Sequence, residues 1–430
     1  MSTRLPPPGA DFQRPPGLYF DWQAIAANAP ARLPSGVPLF VGLTGPVQPG
    51  QDAAPVRRLT RWQQFDEAFA SDSVSSLLAC AVRGFFENGG RLCYVMPVEL
   101  APDPPAEVGV DMHASHVTSA FLALFEIGGP LEQVEEIDLV CVPDIMTRVI
   151  ARSAESVIEL QGSVMEYCAR MGDRFAILDV RATDPDSSMT DPRHDDVVMD
   201  AVGHWQSLPA NHGALYFPWI RVKGHRASDG TARADMLVPP CGHIAGVYAR
   251  SDRRIGVHKP PANELLEGAL DLSFDLDDSG QTKLNGAGVN CLRASPGWGI
   301  RVWGARTLND RSAWMYVNVT RVMLALKRWL DHDLRDLVFE LNDPVLWGII
   351  TERIDRHCAE LYRHGALKGQ RPSEAYFVKC DAETNPPYSR DSGVVVAEVG
   401  LAPEVPSEFV IVRITQSASG VTVTGPTATV

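Results

Sequence analysis

The middle of the chain limits its fold most. Short apolar runs alternate there with longer segments of helical spacing: Ile137–Val142, then Thr147 to Met171, then Phe175–Val180, then a partly helical stretch from Asp191 to Leu208, then Ala214–Trp219. Apolar runs without a polar alternate face suit strands buried on both sides, and helix-length connections suit parallel neighbours. The spacing predicts an α/β layer around a largely parallel sheet. Upstream, Val37–Leu43 reads as a buried strand and Thr60–Phe69 as the start of a helix. Leu77–Asn88 reads as a helix stopped by Gly89-Gly90, and Leu92–Val98 as a strand.

After residue 285 the pattern changes. A polar, glycine-broken loop, 286–299, runs into an alternating strand from Ile300 to Leu308. Val322, Leu326, Trp329 and Leu330 give Val319–Asp331 helical spacing, and Val338–Leu341 reads as a strand. Asp343 is a good N-cap and Pro344 a good first helical residue. The helix they open carries Leu346, Ile350, Ile354, Cys358 and Leu361 as an apolar stripe and stops at Gly365. Strands are expected at 375–380, 394–399 and 409–415, so this half reads as a compact α+β domain. Both chain ends are strand-prone without a core of their own. Leu18, Tyr19, Phe20 and Trp22 stand between proline breaks, and Val421 and Val423 lie in an uncharged tail. The N-terminal segment is either a disordered tail or an arm that orders on a neighbour; its aromatic density favours the arm.

Composition narrows the function. A chain of 430 residues exceeds one ordinary core. A formal net charge of −14 argues against a nucleic-acid partner, which calls for a basic face. No apolar run reaches the ~20 residues that span a bilayer, and the first residues lack the apolar core of a signal peptide. The eight cysteines are scattered without a Cys-x-x-Cys pair, which fits synthesis in a reducing cytosol.

No constellation demands chemistry. Asp191-Pro-Arg-His-Asp-Asp196 gathers a histidine with carboxylates, but at no metal-ligand spacing. Cys241-Gly-His243 follows Pro239-Pro240 as a plain turn would, and no second half of a metal site accompanies it. His357 and Cys358 are adjacent on a helix and point apart. Asp144 and Asp179 end strands where α/β enzymes place catalytic groups, an analogy of fold only. Walker, Gly-x-Ser-x-Gly and Gly-x-Gly-x-x-Gly motifs are absent. No catalytic, cofactor or metal residue is assigned; the alternative kept open is a soluble α/β hydrolase or metal-dependent enzyme using 191–196 and the two strand ends.

A set of phrases, in order, carries a resemblance. It comprises Pro16-Gly-Leu-Tyr19, Val41-Gly-Leu43, Trp62-Gln-Gln-Phe65, Val82–Gly90, Ala245–Arg250 and Gly256–Asn263. It continues with Gly286–Leu308, Tyr316–Val319, Val338–Asp343 with Trp347, Gly365–Gly369, Glu374–Asp381 and Phe409–Ile414. The ordered set resembles the contractile tail sheath proteins of phages and phage-tail-like injection systems.

The resemblance implies a two-domain tail-sheath fold: an N-terminal arm and linker at 1–35, an outer α/β domain at 36–285, an inner C-terminal α+β domain at 286–415 and a C-terminal arm at 416–430. It implies a structural subunit that stacks as hexameric rings around an inner tube and contracts, with no cofactor and no membrane insertion. Its partners would be further copies, the tube protein, and baseplate and terminal cap proteins, with synthesis and assembly in a bacterial cytoplasm. A non-contracting baseplate paralogue is the other reading within the family. The resemblance further implies strand exchange through the two arms and a tube-facing helix, for which Arg353, Arg356, Glu360 and Arg363 are the expected contacts. A solvated helix face fits those four residues equally. Gly297, Trp298 and Gly299 are expected at the joint between the domains, the glycines permitting positive φ.

Overall fold

A computed structural model describes residues 33–44, 56–69, 76–99, 110–182, 194–224, 234–311, 313–391, 393–407, 413–417 and 420–424. Its first elements are β1 (Pro38–Thr44), β2 (Arg57–Leu59), α1 (Trp62–Ala68), α2 (Ser76–Glu87) and β3 (Cys93–Glu99). Next come α3 (Val110–Leu124), β4 (Leu139–Cys141), α4 (Arg148–Ala151), α5 (Ala154–Met171), β5 (Phe175–Asp179), α6 (His194–Ser207) and β6 (Gly213–Phe217). They are followed by β7 (Ile220–Val222), β8 (Met236–Val238), α7 (Cys241–Arg254), β9 (Ala269–Leu272), α8 (Asp278–Ala287), β10 (Asn290–Ser295) and β11 (Gly299–Trp303). The last are α9 (Val317–Asp333), α10 (Pro344–Arg363), α11 (Pro372–Ala375), β12 (Tyr376–Lys379), α12 (Pro387–Asp391), β13 (Glu398–Leu401), β14 (Arg413–Ser417) and β15 (Gly420–Thr424).

One eight-stranded sheet, in the order β11-β10-β6-β5-β4-β1-β3-β2, organises the larger part. Its inner strands pair in parallel, and β2 and β11 close the two edges antiparallel. The order reverses at β1, so right-handed crossovers place helices on both faces. That is why β1, β4, β5 and β6 are buried along their whole length. The α2–α7 crossing is close because Gly242 and Gly246, one turn apart, face α2. A Cβ at 242 would stand 2.3 Å from the Ala81 carbonyl oxygen, and one at 246 would stand 2.5 Å from that of Phe85.

A second, smaller hydrophobic core forms around α9, α10, β12 and β13, with Val322, Leu326, Ile350, Ile354, Cys358 and Leu361 inside. Helix α9 serves both cores, since its Val317 and Leu324 belong to the first. The Asp343 carboxylate caps α10 by accepting from the backbone N–H groups of Val345 at 2.9 Å and Leu346 at 3.0 Å.

The structure corrects four readings. Gly286–Gly299 is not a loop: it holds the end of α8 and strand β10. Strands β10 and β11, assigned from sequence to the C-terminal domain, belong to the large sheet, because Asn290 and Cys291 pair with Tyr216 and Phe217 of β6. The strand from Ile300 stops at Trp303 and not at Leu308, because the Asn290 side chain hydrogen-bonds the Arg306 backbone and draws it out of the ladder. Val338–Leu341 is not a strand; Glu340 closes a turn onto the Leu337 carbonyl, and Phe339 has a φ of +77°.

Candidate assembly surface

The acids at the strand ends face inward. Asp144 is fully buried, and its Oδ2 accepts from the Leu43 backbone N–H at 2.5 Å. Asp179 accepts from the Cys241 N–H at 2.9 Å and so binds the first turn of α7 to β5. Burial pushes Asp179 up to about 7, against the lowering effect of its Cys241 hydrogen bonds. Cys241 and His243 sit in that buried helix, not in a plain turn. Of the 191–196 cluster, residues 191–193 lie outside the described residues, and Asp195 pairs with Lys283 at 2.8 Å. His357 turns to Asp333 at 3.2 Å, while Cys358 enters the second core, where burial pushes its thiol up to about 12.

Two open clefts of about 310 and 370 Å³ remain. The first is lined by Arg181, Asp200 and His204, and both ring nitrogens of His204 are engaged, with Gln161 at 2.7 Å and the Arg181 N–H at 3.1 Å. The second is lined by Arg83, Glu87 and His243. Burial, with Arg181 in one case and Arg83 in the other, pushes both histidines down to about 4, so they are neutral at physiological pH. Among the described residues no group of three or more metal-ligating side chains stands together.

The sequence-selected assembly residues separate. Arg353 forks onto Asp336, at 2.5 and 2.9 Å, and fastens α10 to the turn that follows α9. Arg356 pairs only loosely with Glu352, at 3.4 Å, and Arg363 is exposed. Glu360 is half-buried on the same helix. Gly297, Trp298 and Gly299 form the tip of the β10–β11 hairpin, with φ of +75° and +74° at the two glycines. The tip lies on the edge of the large sheet, whereas the cores meet at α9. Trp298 is 64% exposed and covered on one side by the Arg301 guanidinium. Leu18, Tyr19, Phe20 and Trp22 lie outside the described residues. Val421 and Val423 sit in β15, which pairs with β14 of the same chain, opposite Gln416 and Ile414.

Sequence reasoning missed two surfaces. Strands β12 and β13 pair with each other alone, so each keeps an outer edge without a strand partner among the described residues. Ten of the sixteen exposed large apolar side chains among the described residues follow residue 337, with Phe339 wholly exposed. The apolar alternation of Val338–Leu341 was the available signal, and it was spent on a strand.

Comparison with known proteins decides the family. The profile of the phage tail sheath protein central domain matches residues 123–308, and that of the phage tail sheath C-terminal domain matches 309–417. The chain belongs to the phage tail sheath family. Its members are structural subunits, so the enzyme alternative falls. The tail sheath protein of Salmonella phage ViI is 23% identical over 255 residues, covering 56% of this sheath chain and 39% of that protein. The tail sheath protein of Vibrio phage KVP40 is 27% identical over 177 residues, with 40% and 26% covered. The chain thus matches well under half the length of these curated relatives.

Solved assemblies match the sheath chain almost end to end. A chain of the anti-feeding prophage baseplate has a TM-score of 0.70 at 28% identity, with 94% of this chain and 99% of that one covered. A chain of the contracted PVC sheath complex, from an extracellular contractile injection system, has a TM-score of 0.68 at 25% identity, with 94% and 98% covered. No helix among the described residues is long and apolar enough to cross a membrane.

Proposed function

We propose that this chain is the repeating subunit of a contractile sheath: copies stack as hexameric rings around an inner tube, and the stack shortens and widens to drive the tube through a target envelope. One observation carries the reading. The β12–β13 pair offers two open edges, in the core where exposed apolar side chains concentrate. Such edges accept strands from other chains through main-chain hydrogen bonds, which hold while side chains repack around them. The arms at 1–35 and 416–430 of neighbouring copies supply those strands. The C-terminal core faces the tube, with Arg356, Glu360 and Arg363 of α10 as contacts, and the large sheet faces outward. Baseplate and cap proteins close the stack, which is assembled in a bacterial cytoplasm. The contracted sheath of the anti-feeding prophage, with a TM-score of 0.67 at 27% identity, supports contraction. Electron microscopy of the expressed chain tests it: hollow, cross-striated cylinders are expected, and monodisperse monomers at every concentration would refute it.

A further inference from the structure

The first described residues of the chain are held by a buried charge cluster. Asp138 accepts from the backbone N–H groups of Gly36, at 2.9 Å, and Val37, at 2.6 Å. The same carboxylate receives Arg321 of α9 at 3.3 Å. Arg321 makes a bidentate pair with Asp252 of α7, at 2.9 and 2.6 Å, and its guanidinium lies over the Tyr248 ring. Ser35 stands beside Asp252 and offsets a little of the rise that burial imposes on its pKa. Arg321 and Asp252 are almost wholly buried, at 4% and 1% side-chain exposure. Burial alone would lower the Arg321 pKa; Asp252 and then Asp138 more than reverse this, so the guanidinium stays charged.

A buried ion pair adds little stability over apolar packing of the same volume, so its value lies in what it fixes. What this one fixes is specific. It joins the first described residues of the chain to the helix that both cores share. Neither end alone needs a guanidinium: β1 has its own ladder, and α9 has its own apolar contacts.

We propose that the Ser35–Asp138–Asp252–Arg321 cluster is a mechanical anchor, passing load placed on the N-terminal arm by a neighbouring copy into α9 and the C-terminal core. This rests on the arm reading above. Arg321 here is a positioning residue, and the relevant readout is coupling, not fold stability. Hydrogen exchange of the full chain, free and in cylinders, measures it. On assembly of the unmodified chain, exchange over 317–328 should slow by about tenfold or more. In Arg321→Met the same segment should slow less than about threefold, while 376–401 slows as before. Asp138→Asn leaves the Arg321–Asp252 pair intact, loosens the hold on Gly36 and Val37 and removes the charge from the 3.3 Å contact with Arg321. It should give the same uncoupling and decides the matter if Arg321→Met fails to fold. Full protection of 317–328 in a variant that folds, or none in the unmodified cylinders, would overturn the anchor and leave the sheath reading standing. Absence of cylinders from the unmodified chain overturns both.

Discussion

Asp179 shows how a residue that reads as chemistry serves as structure. A carboxylate at the end of a parallel strand stands where an enzyme would use it, yet here the α7 backbone takes its oxygen. The position therefore gives a stability signature and not an activity. Burial raises its pKa from the ordinary 3.8 to about 7, so the folded state holds a proton that the unfolded state has released. Its contribution is thus most favourable below the unfolded value and is lost as pH rises through the window to about 7, by up to ~4 kcal/mol. Asp179→Asn keeps an acceptor for the Cys241 N–H and removes the titration. From pH 5 to pH 8 the urea midpoint of the unmodified chain should fall relative to that of the variant, the opposite drift from the buried neutral His204 and His243 being common to both. Equal slopes in both proteins would contradict the assignment.

Elements were legible where one physical cause dominates. Strands β1, β3, β4, β5 and β6 could be read because burial on both faces erases polar alternation, and α10 because Asp343, Pro344 and Gly365 mark both its ends. Val338–Leu341 was misread because alternation says nothing about whether a partner strand exists, and β10 because its parallel pairing with β6 is a contact distant in sequence. The candidate surface was legible as a family pattern, but its contacts were not. Nothing in the spacing of Arg353 separates a free cation from one clamped on Asp336, seventeen positions away. Three expectations follow at this scale. Gly242→Ala drives a methyl into the α2 backbone and should cost about 1–3 kcal/mol or more, read as a lower urea midpoint at unchanged m-value. Charge reversal at Arg356 and Arg363 should leave thermal stability nearly unchanged and weaken binding to the tube protein, most visibly at low salt. Arg353→Ala should instead lower thermal stability slightly, because its pair is half-exposed and internal. Tube binding indifferent to the double reversal would move the contact to another face.

At the scale of the whole molecule, the two hydrophobic cores do not need the chain ends. The buried members of the two cores lie between Val37 and Ala375, and β14 and β15 pair only with each other among the described strands. Removing Met1 to Trp22, or stopping after Arg413, should therefore leave a soluble subunit whose secondary structure changes only by the β14–β15 hairpin that the second truncation removes, with a denaturation midpoint close to that of the full chain. Assembly should fail in both cases, because the open edges of β12 and β13 lose the strands that neighbours contribute. The two truncations separate the ends. Mixing them should not restore cylinders if each copy must give both arms, since every ring position would then meet a missing strand. Mixing either with the full chain should cap growth and shorten the cylinders in proportion to its share. Circular dichroism checks the fold, and electron microscopy measures cylinder length. A truncated chain that assembles to normal length shows that its missing end is not part of the mesh, and strand exchange at that end must then be abandoned.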